Sequence, residues 1–509
     1  LPALVLTASL GLTTVSCNGF LDEMPDNRTE LNTDQKIAKL LVSAYADVSP
    51  NELFELYSDN SDDSGPTYGY YKLSEQECYH WQDTKEEYQD TPNSLWGGYY
   101  SAIAAANMAL NAIEEKGNPA SLDPQRGEAL VCRAYCHFML ANIFCNAYDT
   151  HASQSLGVPY MEEVETTVSP RYERGTLEEV YRKVERDLLE GIDLISDDSY
   201  SVPKYHFTRK AAYAFAARFY LYYMKPDFSN CDRVIDFATR VLGTNPADLL
   251  RNWEALGNLS VNGNVQADAY IASSNEANLL ISSTVSNWGA IGSDYLIGPR
   301  YFHNQTLATS ETCLSSGLWG SSDYFYLKPF STNGFVASIL RKSGLYEGTY
   351  LYYMPVLFST DETLLCRAEA YALKKMYAQS AADITSWQRA YTRNKSVLTP
   401  EQINTYYDRM SFYTPFTQQT PKKKLAPDFM IEEGMQENFI HCILHIRRIT
   451  TLHEGMRWPD IKRYGILIYR RDMANQRVTD EMPPNDLRYA IQIPRSVIVA
   501  GIQPNPRRN

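Results

Sequence analysis

Residues 123–147 read Asp123-Pro124-Gln125-Arg126-Gly127-Glu128-Ala129-Leu130-Val131-Cys132-Arg133-Ala134-Tyr135-Cys136-His137-Phe138-Met139-Leu140-Ala141-Asn142-Ile143-Phe144-Cys145-Asn146-Ala147. Leu130, Ala134, Phe138 and Ala141 recur at the spacing of one helical face, with Val131 and Tyr135 beside them. Asp123 before Pro124 is a start signal, because proline suits the first helical turn, where no backbone N–H is needed. Ala134 four places before Phe138 sets a small residue next to a large one, so a second helix can approach closely.

The same small-then-large spacing returns in Ala211, Phe215 and Phe219 within a predicted helix over 208–224. Ile37, Leu40, Leu41 and Tyr45 predict a helix over 35–48, and Tyr99, Ile103, Ala106 and Leu110 one over 94–115 with Ser94 as its cap. Thr176 and Glu179 form a capping box for a helix to about Ile195, whose buried stripe is Val180, Val184, Leu188 and Ile192. Residues 231–242, 361–378 and 437–453 read as further helices. The texture is that of tetratricopeptide helix pairs without their fixed period. Two stretches break it, about 58–90 and 243–355, where turn residues and aromatics replace helical stripes; aromatic content argues against disorder there. The expected fold is mainly all-α, with helix pairs forming one right-handed helical scaffold that carries long irregular inserts.

Composition narrows the function. The chain has 509 residues and a net charge of -14, with basic residues scattered, which disfavours a nucleic-acid partner. An uncharged run from Leu1 to Ser16 ends at Cys17 and gives way to a polar stretch. This reads as the tail of an export signal ending at a lipid-acceptor cysteine: residues 1–17 then carry no fold information, and residues 18–509 form one domain held to a membrane through acyl chains only. Eight of the nine cysteines remain. Cys132 and Cys136 share a helix and cannot meet in disulfide geometry, so buried thiols are expected. With no CxxC pair, no zinc ribbon is possible. Tyrosine is the compositional outlier, 38 against 18 Phe and 7 Trp.

Five blocks resemble the SusD/RagB-type nutrient-binding lipoproteins. These are Trp96, Tyr100, Ile103 and Ala106-Asn107; Glu128-Ala129 with Arg133-Ala134-Tyr135 and Phe138; the Gly157-Val158-Pro159-Tyr160 turn; Leu364 with Arg367-Ala368-Glu369-Ala370; and Glu454-Gly455-Met456-Arg457-Trp458-Pro459-Asp460-Ile461-Lys462-Arg463. Cys17 followed by Phe20-Leu21-Asp22 and Pro25 is similar to their mature start. The resemblance implies a lipid-anchored protein on the outer face of the outer membrane. It would bind oligosaccharides, less often peptides, and cap a SusC-like TonB-dependent transporter as its lid, without catalysis or cofactor. It also implies that the blocks hold the scaffold, so Arg133, Glu369, Arg457 and Asp460 are expected in buried charge pairs and caps.

Other chemistry finds thinner support. His441 and His445 share a helical face, but a histidine pair outside a metal site is the expected reading, and no metal is expected. Asp59, Asp62 and Asp63 lack calcium-loop spacing and read as a solvated turn. There is no phosphate loop and no nucleophile elbow. The expected binding platform is the insert aromatics Tyr68, Tyr70, Tyr71, Trp81, Trp288, Tyr295, Tyr301, Trp319 and Tyr324, which would stack on the C–H faces of sugar rings. Alternatives are a helical-toroid glycoside hydrolase or lyase, a peptide-binding member of the same family, and a tetratricopeptide-type interaction scaffold.

Overall fold

Three short helices, α1 (Asp34–Leu41), α2 (Asn51–Tyr57) and α3 (Leu73–Tyr79), precede the first long one, α4 (Pro92–Glu115). The computed structural model describes residues 31, 33–67, 71–167, 171–260, 265–288, 300–314, 317–321, 324–327, 344–347, 350–473 and 475–507. α4 starts two residues ahead of Ser94, with Thr91 at the N-cap and Pro92 in its first turn. Next come α5 (Asp123–Phe144), α6 (Leu177–Leu194), α7 (Arg209–Tyr222) and α8 (Ser229–Leu242). The capping box of α6 forms as expected, Glu179 N–H donating to Thr176 Oγ1 at 3.2 Å and Thr176 N–H to Glu179 Oε2 at 3.0 Å. α4 packs on α5, α5 on α6, and α7 on α8, the paired arrangement the spacing predicts. Gly127 and Gly191 let α5 and α6 touch backbone to backbone, since a Cβ on either would lie 2.8 Å from the other's carbonyl oxygen.

The second half contains α9 (Trp253–Gly257), α10 (Val265–Ile271), α11 (Gln305–Leu307), α12 (Thr360–Leu373), α13 (Tyr377–Tyr391), α14 (Pro400–Arg409), α15 (Met435–Thr450), α16 (Arg457–Tyr464) and α17 (Arg495–Val499). The helix expected over 361–378 is two helices, because Lys375 adopts φ +59°, a left-handed conformation that ends α12. Nine short strands fill the inserts and the C-terminal region: β1 (Asp62–Asp63), β2 (Asn278–Ile281), β3 (Thr284–Val285), β4 (Tyr301–Phe302), β5 (Gly344–Glu347), β6 (Tyr350–Tyr353), β7 (Val356–Ser359), β8 (Ile468–Asp472) and β9 (Arg477–Met482), counted among the described residues. They make small sheets ordered β4-β1-β8-β9, β2-β7 and β3-β6-β5. The described parts of the inserts are therefore folded, with their own short helices and strands.

The interior carries a charge network centred on two adjacent arginines of α15. Arg447 reaches Asp460 of α16 at 3.1 Å, which also takes Arg463 at 2.7 Å; Arg463 in turn holds Glu369 of α12 at 2.9 Å. Arg448 points elsewhere, to Glu311 at 2.9 Å and to the Asp59 carbonyl at 2.6 Å. Asp59 is gripped by Arg457 through two bonds of 2.7 and 2.9 Å and by Lys423 at 2.6 Å. Between α5 and α6, Arg133 pairs with Asp187 at 2.6 Å. The expectation that Arg133, Glu369, Arg457 and Asp460 form buried charge pairs holds. The expected solvated turn at Asp59 and Asp62 does not: both are buried, and Asp62 pairs with Arg471 at 2.5 Å. Short polar runs look solvated in sequence because the cations that bury them come from elsewhere in the chain.

Every polar position of the Glu454–Arg463 block has an interior use. Glu454 accepts from Tyr270 OH, Gly455 N–H donates to Glu55 at 3.1 Å, and Lys462 donates to the Asn142 and Cys145 carbonyls at 2.7 and 2.9 Å, closing the end of α5. The eight described cysteines are all free and buried, as expected. His445 bonds Tyr407 and the Thr312 carbonyl, each at 2.9 Å, and burial pushes its pKa down to about 3.

Burial opposes ionisation of Asp59, but Arg448, Arg457 and Lys423 outweigh it and hold this carboxyl well below the usual range. Asp460 is likewise lowered against burial, by Arg447 and Arg463. Removing one partner from such a network leaves buried charge under-compensated, so Asp460→Ala, which leaves Arg447 and Arg463 to the α12 carboxylates alone, is expected to cost about 3–5 kcal/mol in urea unfolding. Carboxylates with lowered folded values stabilise above their unfolded value of about 4 and lose that contribution as pH falls through the folded one. Stability should therefore drop on acidification below about pH 4, and Asp460→Asn should flatten that drop.

Candidate functional site

The backbone joins the two aromatic inserts directly. β1, from the first insert, pairs antiparallel with β4, from the second, matching Asp62 to Phe302 and Asp63 to Tyr301. Ser64 N–H extends the pairing by donating to the Arg300 carbonyl at 2.9 Å. β1 also runs parallel to β8, which anchors this junction to the C-terminal region. From β8, Arg470 reaches back under the first insert and donates to the carbonyls of Leu56, Tyr57, Ser58 and Tyr79. These backbone groups are fixed by one buried guanidinium, whose pKa burial lowers to about 10.

On this base stands a small aromatic and charged face. Arg300 forms a two-pronged pair with Asp63, at 2.7 and 2.8 Å, and Asp63 also accepts Gly65 N–H at 2.8 Å. The Arg300 guanidinium lies 5.1 Å from the rings of both Tyr71 and Tyr301. Tyr71 meets Tyr301 edge to face at 5.7 Å, Tyr301 stacks on Tyr79 at 4.6 Å, and His80 closes the cluster 6.0 Å from Tyr301. Tyr71 is 38% exposed, the outermost ring of the stack. Burial and the Arg470 charge lower the pKa of His80, so its imidazole is neutral at neutral pH and can both donate and accept. A flat ring beside a fixed ion pair and a neutral imidazole suits a ligand with one apolar face and a rim of hydroxyls.

The structure divides the nine aromatics expected to form the platform. Tyr68, Tyr70 and Tyr295 lie outside the described residues. Tyr71 and Tyr301 come together as above, Tyr301 as the buried support at 3% exposure. Trp81, Trp288 and Trp319 are corrections, since none presents a face to solvent. Trp81 is held between the guanidinium groups of Arg470 and Arg488, 4.0 and 5.0 Å from its ring, and donates to the Tyr57 carbonyl at 2.9 Å. Trp288 donates to the His453 carbonyl at 2.8 Å, and Trp319 packs edge-on against Trp387 at 5.3 Å. These rings are the cores of the folded inserts. Tyr324 is 45% exposed, beside the end of α13, where Arg393 N–H donates to its carbonyl at 2.7 Å.

Arg300 and His80 were missed, and Asp63, expected in a solvated turn, is instead the partner of Arg300. Nothing in the sequence marks Arg300 as the partner of Asp63, because β1–β4 pairing spans more than two hundred residues. Tyr88, also exposed in the first insert, carried no signal beyond its ring. A second concave feature lies along α4, a cleft of about 620 Å³ walled by Trp96, Tyr100, Met108, Met161, Val497 and Ile502. It is mainly apolar, with Glu163 and Glu165 among its lining residues.

The two kinds of aromatic should separate cleanly on truncation. Trp81→Ala removes a buried ring and is expected to cost about 3–5 kcal/mol of stability. Tyr71→Ala should leave the unfolding midpoint within about 0.5 kcal/mol of wild type, as an exposed substitution does.

Residues 19–221 match a family of SusD-like proteins described as starch-binding and associating with the outer membrane. A comparison with curated proteins returns no match. Among solved structures, a SusD superfamily protein from Bacteroides vulgatus superposes with a TM-score of 0.62 at 19% identity, covering 94% of this chain and 98% of that one. One from Bacteroides fragilis gives 0.63 at 15% identity, over 92% and 98% of the two chains. A SusD-like carbohydrate binding protein from Bacteroides vulgatus gives 0.63 at 14%, over 92% and 96%. Identities this low speak for the fold, and the fold agrees along almost the whole length. With the N-terminal part similar in sequence and almost the whole length similar in fold, the chain resembles SusD-like proteins.

Proposed function

We propose that this protein captures oligosaccharides at the outer face of the outer membrane and passes them to a SusC-like TonB-dependent transporter, over which it sits as a lid. The observation that carries the reading is the β1–β4 junction, which sets exposed Tyr71 on the Arg300–Asp63 pair and makes one face from two distant inserts. The family's description as starch-binding and outer-membrane associated supports the ligand class and the location. Anchoring falls to acyl chains on Cys17, outside the described residues. No helix among the described residues is long and apolar enough to cross a membrane. Residues 18–509 act as one domain, consistent with a buried apolar cluster running from Ile37 to Ile502.

Tyr71 supplies the stacking surface, Arg300 and Asp63 bond the hydroxyl rim, and His80 adds a neutral donor and acceptor. The face is shallow and suits micromolar or weaker binding, as a lid that releases its cargo requires. The binding reading is favoured over hydrolysis by the state of the nearby acids. Asp59 and Asp62 are buried in ion pairs, and Asp63 is committed to Arg300, so none of these three acids is free to flank a glycosidic bond.

The test is calorimetric titration of the protein lacking residues 1–17 against plant, host and microbial oligosaccharides, with chromatography of the mixtures afterwards. Saturable binding without cleavage, weakened about tenfold or more by Tyr71→Ala, is expected. Cleavage products would favour the hydrolase, and binding of peptides alone would move the cargo class.

A further inference from the structure

The cleft along α4 is assembled from three parts of the chain that the insert face does not use. α4 contributes Trp96, Tyr100, Ile103, Ala104 and Met108, the loop 159–165 a second side, and α17 with Ile502 a third. Trp96 and Tyr100 pack together with ring centres 4.9 Å apart, and Trp96 meets Phe144 edge to face at 5.0 Å.

Buried polar side chains fix the shape of the loop. Asn107 donates to the Met161 and Glu163 carbonyls at 3.1 and 3.3 Å, and Arg133 donates to Asn107 Oδ1 at 3.0 Å and to the Glu162 carbonyl at 3.2 Å. His137 Nε2 accepts Met161 N–H at 3.0 Å, and Tyr100 OH donates to the Pro159 carbonyl at 2.8 Å. Arg174 ties the loop side to the C-terminal side, donating to the Gly157 carbonyl at 2.6 Å and the Gln503 carbonyl at 3.1 Å. A cleft held in this way is preformed, as small-molecule sites usually are, and its volume of about 620 Å³ suits a ligand of that class.

The charge at the cleft has one sign. Glu163 and Glu165, both exposed, border it, and no lysine or arginine among the described residues does. Their neighbour Glu162 is committed to Lys183 and Arg186, at 2.5 and 2.7 Å, whereas Glu163 and Glu165 form no ion pair among the described residues. Three of the lining residues, Trp96, Tyr100 and Tyr172, are aromatic, and aromatic faces attract organic cations, more strongly as the cation loses water. An anion would meet two carboxylates here. The methionine and valine side chains offer a sugar's hydroxyls almost nothing to bond.

We propose that this cleft is a second binding site, separate from the insert face, and that its ligand is a small organic cation, an ammonium head on an apolar body. Glu163 and Glu165 supply the counter-charge, the aromatic rings attract the head, and Met108, Met161, Val497 and Ile502 cover the body. The assignment does not rest on the sugar-binding reading, and either can fail alone.

The probe is phenylbutylammonium, titrated calorimetrically into the protein beside two compounds matched in shape, phenylbutanol and phenylbutanoate. Saturable binding of the cation is expected, with the alcohol about tenfold weaker and the carboxylate weaker still. Glu163→Gln combined with Glu165→Gln should weaken the cation about tenfold and leave the alcohol unchanged. Both positions are exposed, so the unfolding midpoint should not move. Ala104→Trp, at an exposed position of α4 bordering the cleft, should fill the space and abolish binding of both compounds. Equal affinity for cation and alcohol, preference for the carboxylate, or no saturable binding would overturn the proposal. So would cation binding that survives Ala104→Trp, or displacement of the probe by an oligosaccharide, because separate sites do not compete.

Discussion

Arg447 and Arg448, adjacent on α15, point into different parts of the interior, and the arrangement of the molecule depends on what each finds there. Arg447 meets the carboxylates of α12 and α16, which seats the helical scaffold around α15. Arg448 meets Asn60, the Asp59 carbonyl and Glu311, which come from the two inserts. A guanidinium left without its partners in the interior costs several kcal/mol. A chain that misplaces either insert therefore strands Arg448, and one that misplaces α12 or α16 strands Arg447. Such networks add little or no net stability over apolar packing, but they penalise wrong arrangements heavily, and here they select which distant segments meet.

The proposed ligand face inherits its geometry from that selection. Asp59, fixed by Arg448, Arg457 and Lys423, lies three residues before β1, and His303, immediately after β4, bonds the Asn60 carbonyl at 2.9 Å. β1 and β4 are two residues long and could not hold a register by their ladder alone. The buried charges beside them, together with Arg470 under the first insert, supply what the ladder lacks. The proposed binding face, although made of loops, is thereby held in place by buried charges, with Tyr71 outermost.

The helical half of the fold was legible in sequence because its signals are local. The capping box at Thr176 and Glu179, the stripe of α6 and the proline in the first turn of α5 act over a few residues, and the elements follow within a few residues of the expected bounds. The blocks shared with SusD-like proteins were legible as scaffold, and Arg457 and Asp460 prove to be its buried charges. Short helices such as α2 and α3 were not, since seven residues carry too little periodicity. The inserts were misjudged for a related reason. Trp81, Trp288 and Trp319 stand among turn residues, so nothing nearby shows what covers them; their covers are Arg470 and Arg488, His453, and Trp387, all far along the chain. Arg300 escaped notice, and Asp63 read as part of a solvated turn, because a pairing between remote strands leaves no pattern in either segment.

The account stands on one claim, that joining the inserts makes the ligand site. The most direct measurement is a crystal structure of the protein with the oligosaccharide that titration selects. The account predicts a sugar ring stacked on Tyr71, with hydroxyls bonded to Arg300, Asp63 or His80. Sugar seated instead in the Trp96–Tyr100 cleft beside α4, with Tyr71 bare, would contradict it.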